Sequence, residues 1–200
     1  MGRKIALAIV GTLTLTACSG SLEGDGDVVT ETRSVSDFDA IHADNGVQVS
    51  LTVDSTATGD PDLSVTTDSN LQEFLSAKVT GSTLTISSNR SGGVRPSGAF
   101  DVSSTVDFIT DVSVDNGARL DVTGSLSDVT LSADNGAQLD GDTLEAATVV
   151  VDANNGAQIS VCATETVSGK VRNGARVTVR CGGDVGSVTT SGGGRVSSAP

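Results

Sequence analysis

An Asn-Gly corner returns at a nearly constant interval through the second half of the chain. The stretch SVDNGARLDV recurs as SADNGAQLDG and again as DANNGAQISV. The asparagines of the four clearest copies are Asn116, Asn135, Asn155 and Asn173. They are 19, 20 and 18 residues apart. A further copy is centred on Asn45, and a last one has Gly192 in the place of the asparagine. A fixed period near 20 residues is typical of repeat architectures, in which one small unit stacks on the next.

Apolar and polar residues alternate on both sides of each corner. The positions two before and four after the asparagine are mostly aliphatic, whereas the third position after it is always long and polar. This period of two indicates β-strands with one buried face. The chain has no Trp, no Tyr and four Phe, so its core must consist of small aliphatic side chains, which favours an all-β protein.

Asn-Gly between alternating runs usually marks a two-residue β-hairpin, and such hairpins would build an antiparallel β-sandwich. The alternation of apolar and polar residues argues against this. A hairpin would place Ala133 beside Gln138, and Val114 beside Arg119, so that apolar and polar side chains would share one face of the sheet. We therefore predict a single-stranded parallel β-helix, a solenoid with rungs of about 19 residues over roughly residues 100–196. The antiparallel β-sandwich is kept as the alternative.

In the solenoid, equivalent corners stack about 4.8 Å apart. The asparagine is an even number of residues from the aliphatic positions on both sides of it, so alternation predicts that its side chain also points inward. We expect each corner amide to hydrogen-bond to the amides above and below it. This predicted corner ladder consists of Asn116, Asn135, Asn155 and Asn173. The N-terminal half is less regular: residues 47–53, 63–67 and 82–88 alternate as strands, and residues 69–81 form a short helix or a broad turn. We expect this half to cap or begin the solenoid.

The first 17 residues have the order of a signal peptide, with a basic start, an apolar run and small residues at the end. Leu15, Thr16, Ala17 and Cys18 resemble the bacterial lipobox, which implies that Cys18 is acylated and anchors the protein to the membrane. Residues 18–31 are Gly-, Ser- and Asp-rich, which predicts a flexible linker. The domain then comprises residues 32–197. Ser19 after the lipid-bearing cysteine favours the outer membrane.

The two remaining cysteines, Cys162 and Cys181, are 19 residues apart, which is one rung of the predicted solenoid. An exported compartment permits a disulfide between them. Cys162 is seven residues after its asparagine and Cys181 is eight after its own, so the thiols could also point apart and stay unbonded.

The composition excludes several function classes. A formal net charge of −13 repels nucleic acid. His42 is the only histidine, and no known catalytic or phosphate-binding motif is present. Asp121 and Asp140 on neighbouring rungs could imitate a glycosidase pair, but in so Asp-rich a chain a solvated face is the better interpretation. We expect no enzyme, no metal and no cofactor.

The exposed third position after each corner is the best candidate for a functional surface. In a solenoid it forms one row of guanidinium and amide groups, suited to hydrogen-bonding a repeating polymer such as a polysaccharide. The residues of this candidate binding flank are Arg119, Gln138, Gln158, Arg176 and Arg195.

The sequence also resembles a known family, the bacterial head-GIN domain, often labelled a putative autotransporter adhesin head. The resemblance is carried by residues 33–51 with Arg33, Phe38 and Ile41, by residues 69–87 with a G-x-x-L-x-I strand, and by the NGA corners. It implies a right-handed parallel β-helix on an exported or lipid-anchored protein. Relatives often have Ser-Gly where this chain has Asn-Gly.

Three functional hypotheses follow. The leading one is a lipid-anchored, non-enzymatic adhesin-like module of the cell envelope that binds a polysaccharide or an envelope protein. The second is an envelope scaffold that assembles through the solenoid ends, with a second copy of itself or with another protein. The third is a polysaccharide-active enzyme.

Overall fold

A computed structural model describes residues 20–98 and 100–199 of the chain. The signal peptide and Cys18 lie outside the described residues. Within them the chain is almost entirely β-strand, with one 3-10 helix at Ser69–Phe74. The strands are β1 (Leu22–Glu23), β2 (Val28–Ser34), β3 (Ala40–Asp44), β4 (Gln48–Val53), β5 (Asp62–Asp68), β6 (Leu75–Thr80), β7 (Thr83–Ser88), β8 (Val94–Arg95), β9 (Asp101–Val106), β10 (Asp111–Val114), β11 (Arg119–Ala133), β12 (Gln138–Ala153), β13 (Gln158–Val171), β14 (Arg176–Arg180), β15 (Asp184–Thr190) and β16 (Arg195–Ser198).

Successive copies of the repeat pair with one another in parallel. Strand β11 pairs with β10 and β12, β12 with β13, and β13 with β14 and β15, always in parallel. The register joins equivalent positions of the repeat. The column four residues after the corner runs, strand by strand, through Val49, Leu120, Leu139, Ile159, Val177 and Val196.

The order of strands in space differs from their order in the chain at one place. Strands β3 and β4 flank the Asn45 corner and pair with β10 and β11 of the next copy. On their other side lie β7 and β9, which occur later in the chain than β3 and β4. The segment between β4 and β10 therefore folds back and adds a further layer of strands to the stack. In this layer, a loop over residues 89–98 takes the place of an Asn-Gly corner.

Antiparallel strands close this N-terminal end of the sheet. Strand β6 pairs antiparallel with β7, and β5 pairs antiparallel with both β2 and β9. The 3-10 helix between β5 and β6 buries Leu71 and Gln72. The expectation of a short helix or broad turn in residues 69–81 thus holds for its first half, whereas the second half is strand β6.

Residues 20–31 differ from the prediction of a flexible linker. Strand β1 pairs in parallel with β8, and β2, which starts at Val28, pairs with β5 over seven residues. Composition misled here because the Gly- and Asp-rich segment gains its order from backbone hydrogen bonds and from polar partners elsewhere in the chain, rather than from apolar side chains.

The core consists of the inward positions of the alternating strands, as the period of two predicts. Ala118, Leu120, Leu131, Leu144 and Val161 are at most 1% exposed. The positions that alternate with these inward positions mostly face solvent or are half-buried. Since these side chains are small, they form thin layers that match the spacing of the strands.

The described chain is therefore all-β, with a curled, half-barrel sheet. The antiparallel sandwich is not confirmed, and the strands on either side of the Asn116 corner pair with the neighbouring copies. Within residues 20–98 and 100–199, no helix has the length and apolar character that a membrane crossing needs.

Candidate functional site

Each Asn-Gly corner is a tight left-handed bend. Asn116, Asn135, Asn155 and Asn173 have φ between 46° and 51°, and each is followed by a glycine that also has positive φ. Asparagine and glycine accept this conformation more readily than other residues do. The bend turns the chain from one strand of a copy into the next without a hairpin.

The corner asparagines are hydrogen-bonded in series. Asn135 Nδ2 donates to Asn116 Oδ1 at 3.2 Å, Asn155 Nδ2 donates to Asn135 Oδ1 at 3.2 Å, and Asn173 Nδ2 donates to Asn155 Oδ1 at 3.4 Å. The prediction that they point inward is wrong, because all four are exposed. The alternation of in and out holds only for extended backbone, and the left-handed corner breaks it.

Carboxylates stack immediately before the first corners. Asp44, Asp115 and Asp134 occupy the same position in three successive copies, and Asp44 Oδ1 accepts a bond from Asn116 Nδ2 at 2.7 Å. Burial raises the pKa of Asp115, and the charges of Asp134 and Asp44 raise it further, whereas His42 opposes them. Among the described residues, no group of His, Cys, Asp or Glu is arranged to hold a metal ion.

The residues of the candidate binding flank lie side by side across the sheet. The register pairs Arg119 with Gln138, Gln138 with Gln158, Gln158 with Arg176, and Arg176 with Arg195. The row continues on the other side of Arg119 to Gln48 and then Asp101. It thus crosses seven strands, and its side chains are exposed or half-buried.

Arg119 is held by two carboxylates of the neighbouring row. Its Nη2 lies 2.8 Å from Asp121 Oδ1 and 3.6 Å from Asp140 Oδ2. These contacts, chiefly the hydrogen bond with Asp121, raise the pKa of the guanidinium group. Within the described part of the chain, neither Arg176 nor Arg195 forms an ion pair, so Arg119 is the one arginine of the flank that is paired with carboxylates there.

The two aspartates considered as a glycosidase pair serve this network instead. Asp121 and Asp140 both contact Arg119, and Asp140 Oδ1 also accepts bonds from Ser160 Oγ at 3.1 Å and from the Asp142 amide at 3.1 Å. The arrangement is that of a structural ion-pair network.

A hydroxyl-rich cleft adjoins the flank at its N-terminal end. It has a volume of about 860 Å³ and is lined by Ser50 and Ser103, which belong to the row beside the flank, together with Asp37, Asp60 and Asp62. Sequence analysis missed this cleft, since its aspartates come from loops and from the start of β5, which are not part of the repeat. It also missed Asp101, because the copy containing β9 lacks the Asn-Gly corner that defined the alignment.

Cys162 and Cys181 form a disulfide, with their Cα atoms 5.1 Å apart. Cys162 pairs in register with Arg180 rather than with Cys181, so the offset of one residue seen in the sequence is real. Cys181 adopts a φ of 66° and thereby turns its thiol back to the neighbouring strand. The bond ties the end of β14 to β13.

Comparison with known proteins supports the resemblance seen in the sequence. A family model described as "Putative auto-transporter adhesin, head GIN domain" matches residues 93–183. The match includes the corners from Asn116 to Asn173 and both bonded cysteines, and it is narrower than the resemblance over residues 33–196. No curated protein matches the chain.

Several solved structures are similar to the chain. A putative adhesin from Bacteroides fragilis is 16% identical with a TM-score of 0.51, over 89% of this chain and 99% of that one. A putative lipid binding protein from Parabacteroides distasonis is 14% identical with a TM-score of 0.48, over 90% and 100%. A putative adhesin from Parabacteroides merdae is 11% identical with a TM-score of 0.45, again over 90% and 100%. The Bacteroides fragilis protein shares the fold.

Proposed function

We propose that this chain, whose residues 93–183 match the model of the head GIN domain family, is a non-enzymatic, adhesin-like binding module of the bacterial cell envelope. The binding flank is the surface that would contact the ligand. One observation carries the proposal: polar side chains, all of them Gln or Arg except Asp101, stand in a single row across seven paired strands.

The fold that this proposal assumes is a single-stranded, right-handed parallel β-helix. Its support is the parallel register of each copy with the next at offsets of 18 to 20 residues, together with corners that lead from strand to strand without a hairpin. Such a coil is rigid along its stacking axis, because every strand is paired on both sides except at the ends.

The ligand class we propose is a polysaccharide that lies along the flank, across the strands. A row of groups repeated at the strand spacing of about 4.8 Å presents donors and acceptors at regular intervals to a polymer that is itself regular. Gln138 and Gln158 supply both donors and acceptors, whereas Arg176 and Arg195 supply donors only. The hydroxyl-rich cleft beside Ser50 and Ser103 extends this polar track.

The proposed location is the cell envelope, with the protein attached by acyl chains on Cys18 and placed in the outer membrane. The lipobox residues Leu15 to Cys18 support this, and they lie outside the described residues. Two or three acyl chains give a stable anchor, whereas one chain holds only marginally.

An envelope scaffold that joins copies end to end is the alternative. The last copy of the repeat argues against it, because three of its inward positions become polar or lose their side chains: Thr190, Gly194 and Ser198 follow Val171, Ala175 and Val179 of the copy before, whereas Val196 after Val177 stays aliphatic. A terminal repeat with polar inward positions is suited to contact with water.

The test is binding of the full-length protein, extracted in detergent, to envelope polysaccharides and host glycans. We expect saturable binding that is lost or at least about ten-fold weaker, about 1.4 kcal/mol, in the Arg119→Ser, Arg176→Ser, Arg195→Ser variant. Since Arg119 also holds Asp121 and Asp140, a second variant carries only Arg176→Ser and Arg195→Ser and leaves that network intact.

The matched control removes the same charge from positions outside the flank, by Lys78→Ser in β6, Lys170→Ser in β13 and Arg172→Ser directly before the Asn173 corner. It should bind like the unaltered protein. Equal loss of binding in the control would mean that net charge, not the flank, determines affinity. Absence of binding to every glycan by the unaltered protein would overturn the polysaccharide proposal and favour a protein partner.

A further inference from the structure

The N-terminal end of the described chain is fastened to the domain along its whole length. We call residues 20–27 the N-terminal strap. The Leu22 amide donates to Gly93 O at 3.2 Å, and the Gly24 amide donates to Arg95 O at 2.8 Å. These bonds make β1 the parallel partner of β8, in the loop that replaces an Asn-Gly corner.

A buried carboxylate joins the strap to this loop. Asp68 is fully buried and accepts bonds from the Gly26 amide at 2.8 Å, the Ser97 amide at 2.8 Å and Ser97 Oγ at 2.6 Å. Gly24 lies so close to this carboxylate that a Cβ atom there would collide with it. The strap is therefore seated against Asp68 rather than lying loosely on the surface.

Side chains of the 3-10 helix hold the strap from the other side. Asn70 Nδ2 donates to Glu23 O at 2.9 Å, and its Oδ1 accepts from the Asp25 amide at 3.2 Å. Ser69 Oγ donates to Asp25 Oδ2 at 2.7 Å. With the Asp68 bonds, these contacts fix the direction in which the strap runs.

The first described residue lies beside a half-buried arginine. Arg90 Nη1 donates to Gly20 O at 3.0 Å and to Gly93 O at 2.8 Å, and its guanidinium carbon lies 5.8 Å from the centre of the Phe74 ring. Gly20 is two residues after Cys18. An extended chain spans at most about 3.6 Å per residue, so two residues of chain reach no further than about 7 Å.

We propose that the strap acts as a rigid coupling that holds the loop over residues 89–98 against a lipid surface. This inference rests on the proposed acylation of Cys18. An acylated cysteine lies at the level of the lipid headgroups, which brings Arg90 and Arg95 within reach of lipid phosphates. Since the loop follows β7, the end of the sheet formed by β16 points away from the membrane, six strand spacings or about 29 Å from the layer of β7 and β9.

The experiment places a photoreactive p-benzoylphenylalanine at one of two exposed serines in the full-length protein. Ser91 lies in the loop beside the strap, and Ser191 lies in the last corner at the opposite end. Acylated protein is reconstituted in vesicles of phosphatidylcholine and phosphatidylglycerol, and lipid adducts are measured by mass spectrometry. We expect about ten-fold more adduct from position 91 than from position 191, since the far end lies about 29 Å away.

The strap is tested separately by Ser97→Ala, which removes the 2.6 Å bond to Asp68. Its control, Ser198→Ala, removes a hydroxyl at the far end. We expect Ser97→Ala to lower the ratio of adducts between the two positions severalfold, while the protein stays on the vesicles and Ser198→Ala has no effect.

The outcomes separate the two proposals. An N-terminal peptide that carries no acyl chain overturns the anchoring and this inference with it. Acylated protein that yields equal adducts from both positions overturns this inference alone and leaves the anchoring intact. An unchanged ratio in Ser97→Ala would show that the strap does not set the orientation.

Discussion

Asparagine at the corners serves two purposes at the scale of a single residue. It adopts a left-handed backbone, with φ of 51° at Asn135, and its side-chain amide bonds to the amide of the neighbouring corner. The first property avoids a steric cost that most residues incur there. The second adds exposed hydrogen bonds, which contribute less because water competes for them. We therefore expect the backbone conformation to dominate.

Asn135 separates the two contributions. The Asn135→Ala variant loses both, and we expect a decrease of about 1–2 kcal/mol in the free energy of unfolding. The Asn135→Gly variant keeps the backbone conformation and loses only the amide, so the decrease should stay below about 1 kcal/mol. Urea unfolding followed by circular dichroism measures both. Equal decreases would assign the role to the amide ladder instead.

Asp68 gives the folded state a dependence on pH. Hydrogen bonds, chiefly from the Ser97 hydroxyl, lower the pKa of its carboxyl below the usual 3.8. A lowered pKa in the folded state means that the unfolded chain binds the proton more tightly. This contribution to stability is therefore complete above pH 3.8 and is lost as the pH falls through the folded-state value.

The Asp68→Asn variant tests this contribution. We expect its stability to vary less with pH than that of the unaltered protein between about pH 5 and pH 2, the range over which a hydrogen-bonded carboxylate titrates. Unfolding midpoints in urea at several pH values measure it. Asp128→Asn, which removes an exposed charge, should keep the slope of the unaltered protein, and an equal change of slope in both variants would contradict a specific role for Asp68.

Sequence reasoning worked at the residue scale wherever the backbone is extended. The burial of Leu120, Leu139 and Ile159 follows from alternation alone. It failed for the corner asparagines, because side chains alternate between inward and outward only while the backbone is extended. It also failed for the strap, because composition does not reveal a hydrogen-bonding partner such as Asp68. The register of the flank was predictable because equal spacing from the corner implies equal position in the sheet.

At the scale of elements, the fold-back of β7 and β9 was not predictable from the repeat. These strands pair beside β3 and β4, although the chain between them contains no Asn-Gly corner to reveal the copy. Each of the long strands β11, β12 and β13 continues along two sides of the coil. Two of these strands contain a glycine with φ of 125°. These glycines, Gly124 and Gly169, bring two strands closer than a side chain would allow.

Gly169 should therefore be intolerant of even a methyl group. A Cβ atom there would collide with the backbone oxygen of Val151, in a conformation that L-residues rarely adopt. We expect Gly169→Ala to lower the free energy of unfolding by about 3 kcal/mol, from strain and overpacking together. Gly136→Ala is the control, since Gly136 has φ of 73° and open space around it, and it should lose about 1 kcal/mol. Equal losses would mean that packing at Gly169 relaxes.

The whole molecule has two unlike ends. Strands β2, β5 and β6 and the 3-10 helix close the N-terminal end, whereas β15 and β16 each pair with a single strand. Between them, β11, β12 and β13 are paired on both sides. Stability in a stacked array is close to a sum of terms between neighbours, so the ends with fewest neighbours open first. The Cys162–Cys181 bond limits this opening to the residues beyond Cys181.

Hydrogen exchange of the full-length protein should follow this order. We expect amides of β16 to exchange at least about ten-fold faster than those of β12, because each factor of ten corresponds to about 1.4 kcal/mol of local stability. Reduction of the disulfide should extend the fast region into β14 and leave β12 unchanged. The N-terminal end, although also terminal, should remain protected as long as the strap is bound to Asp68. Strong protection of β16 would mean instead that its free edge is covered by a second copy, and would favour the scaffold over the binding module.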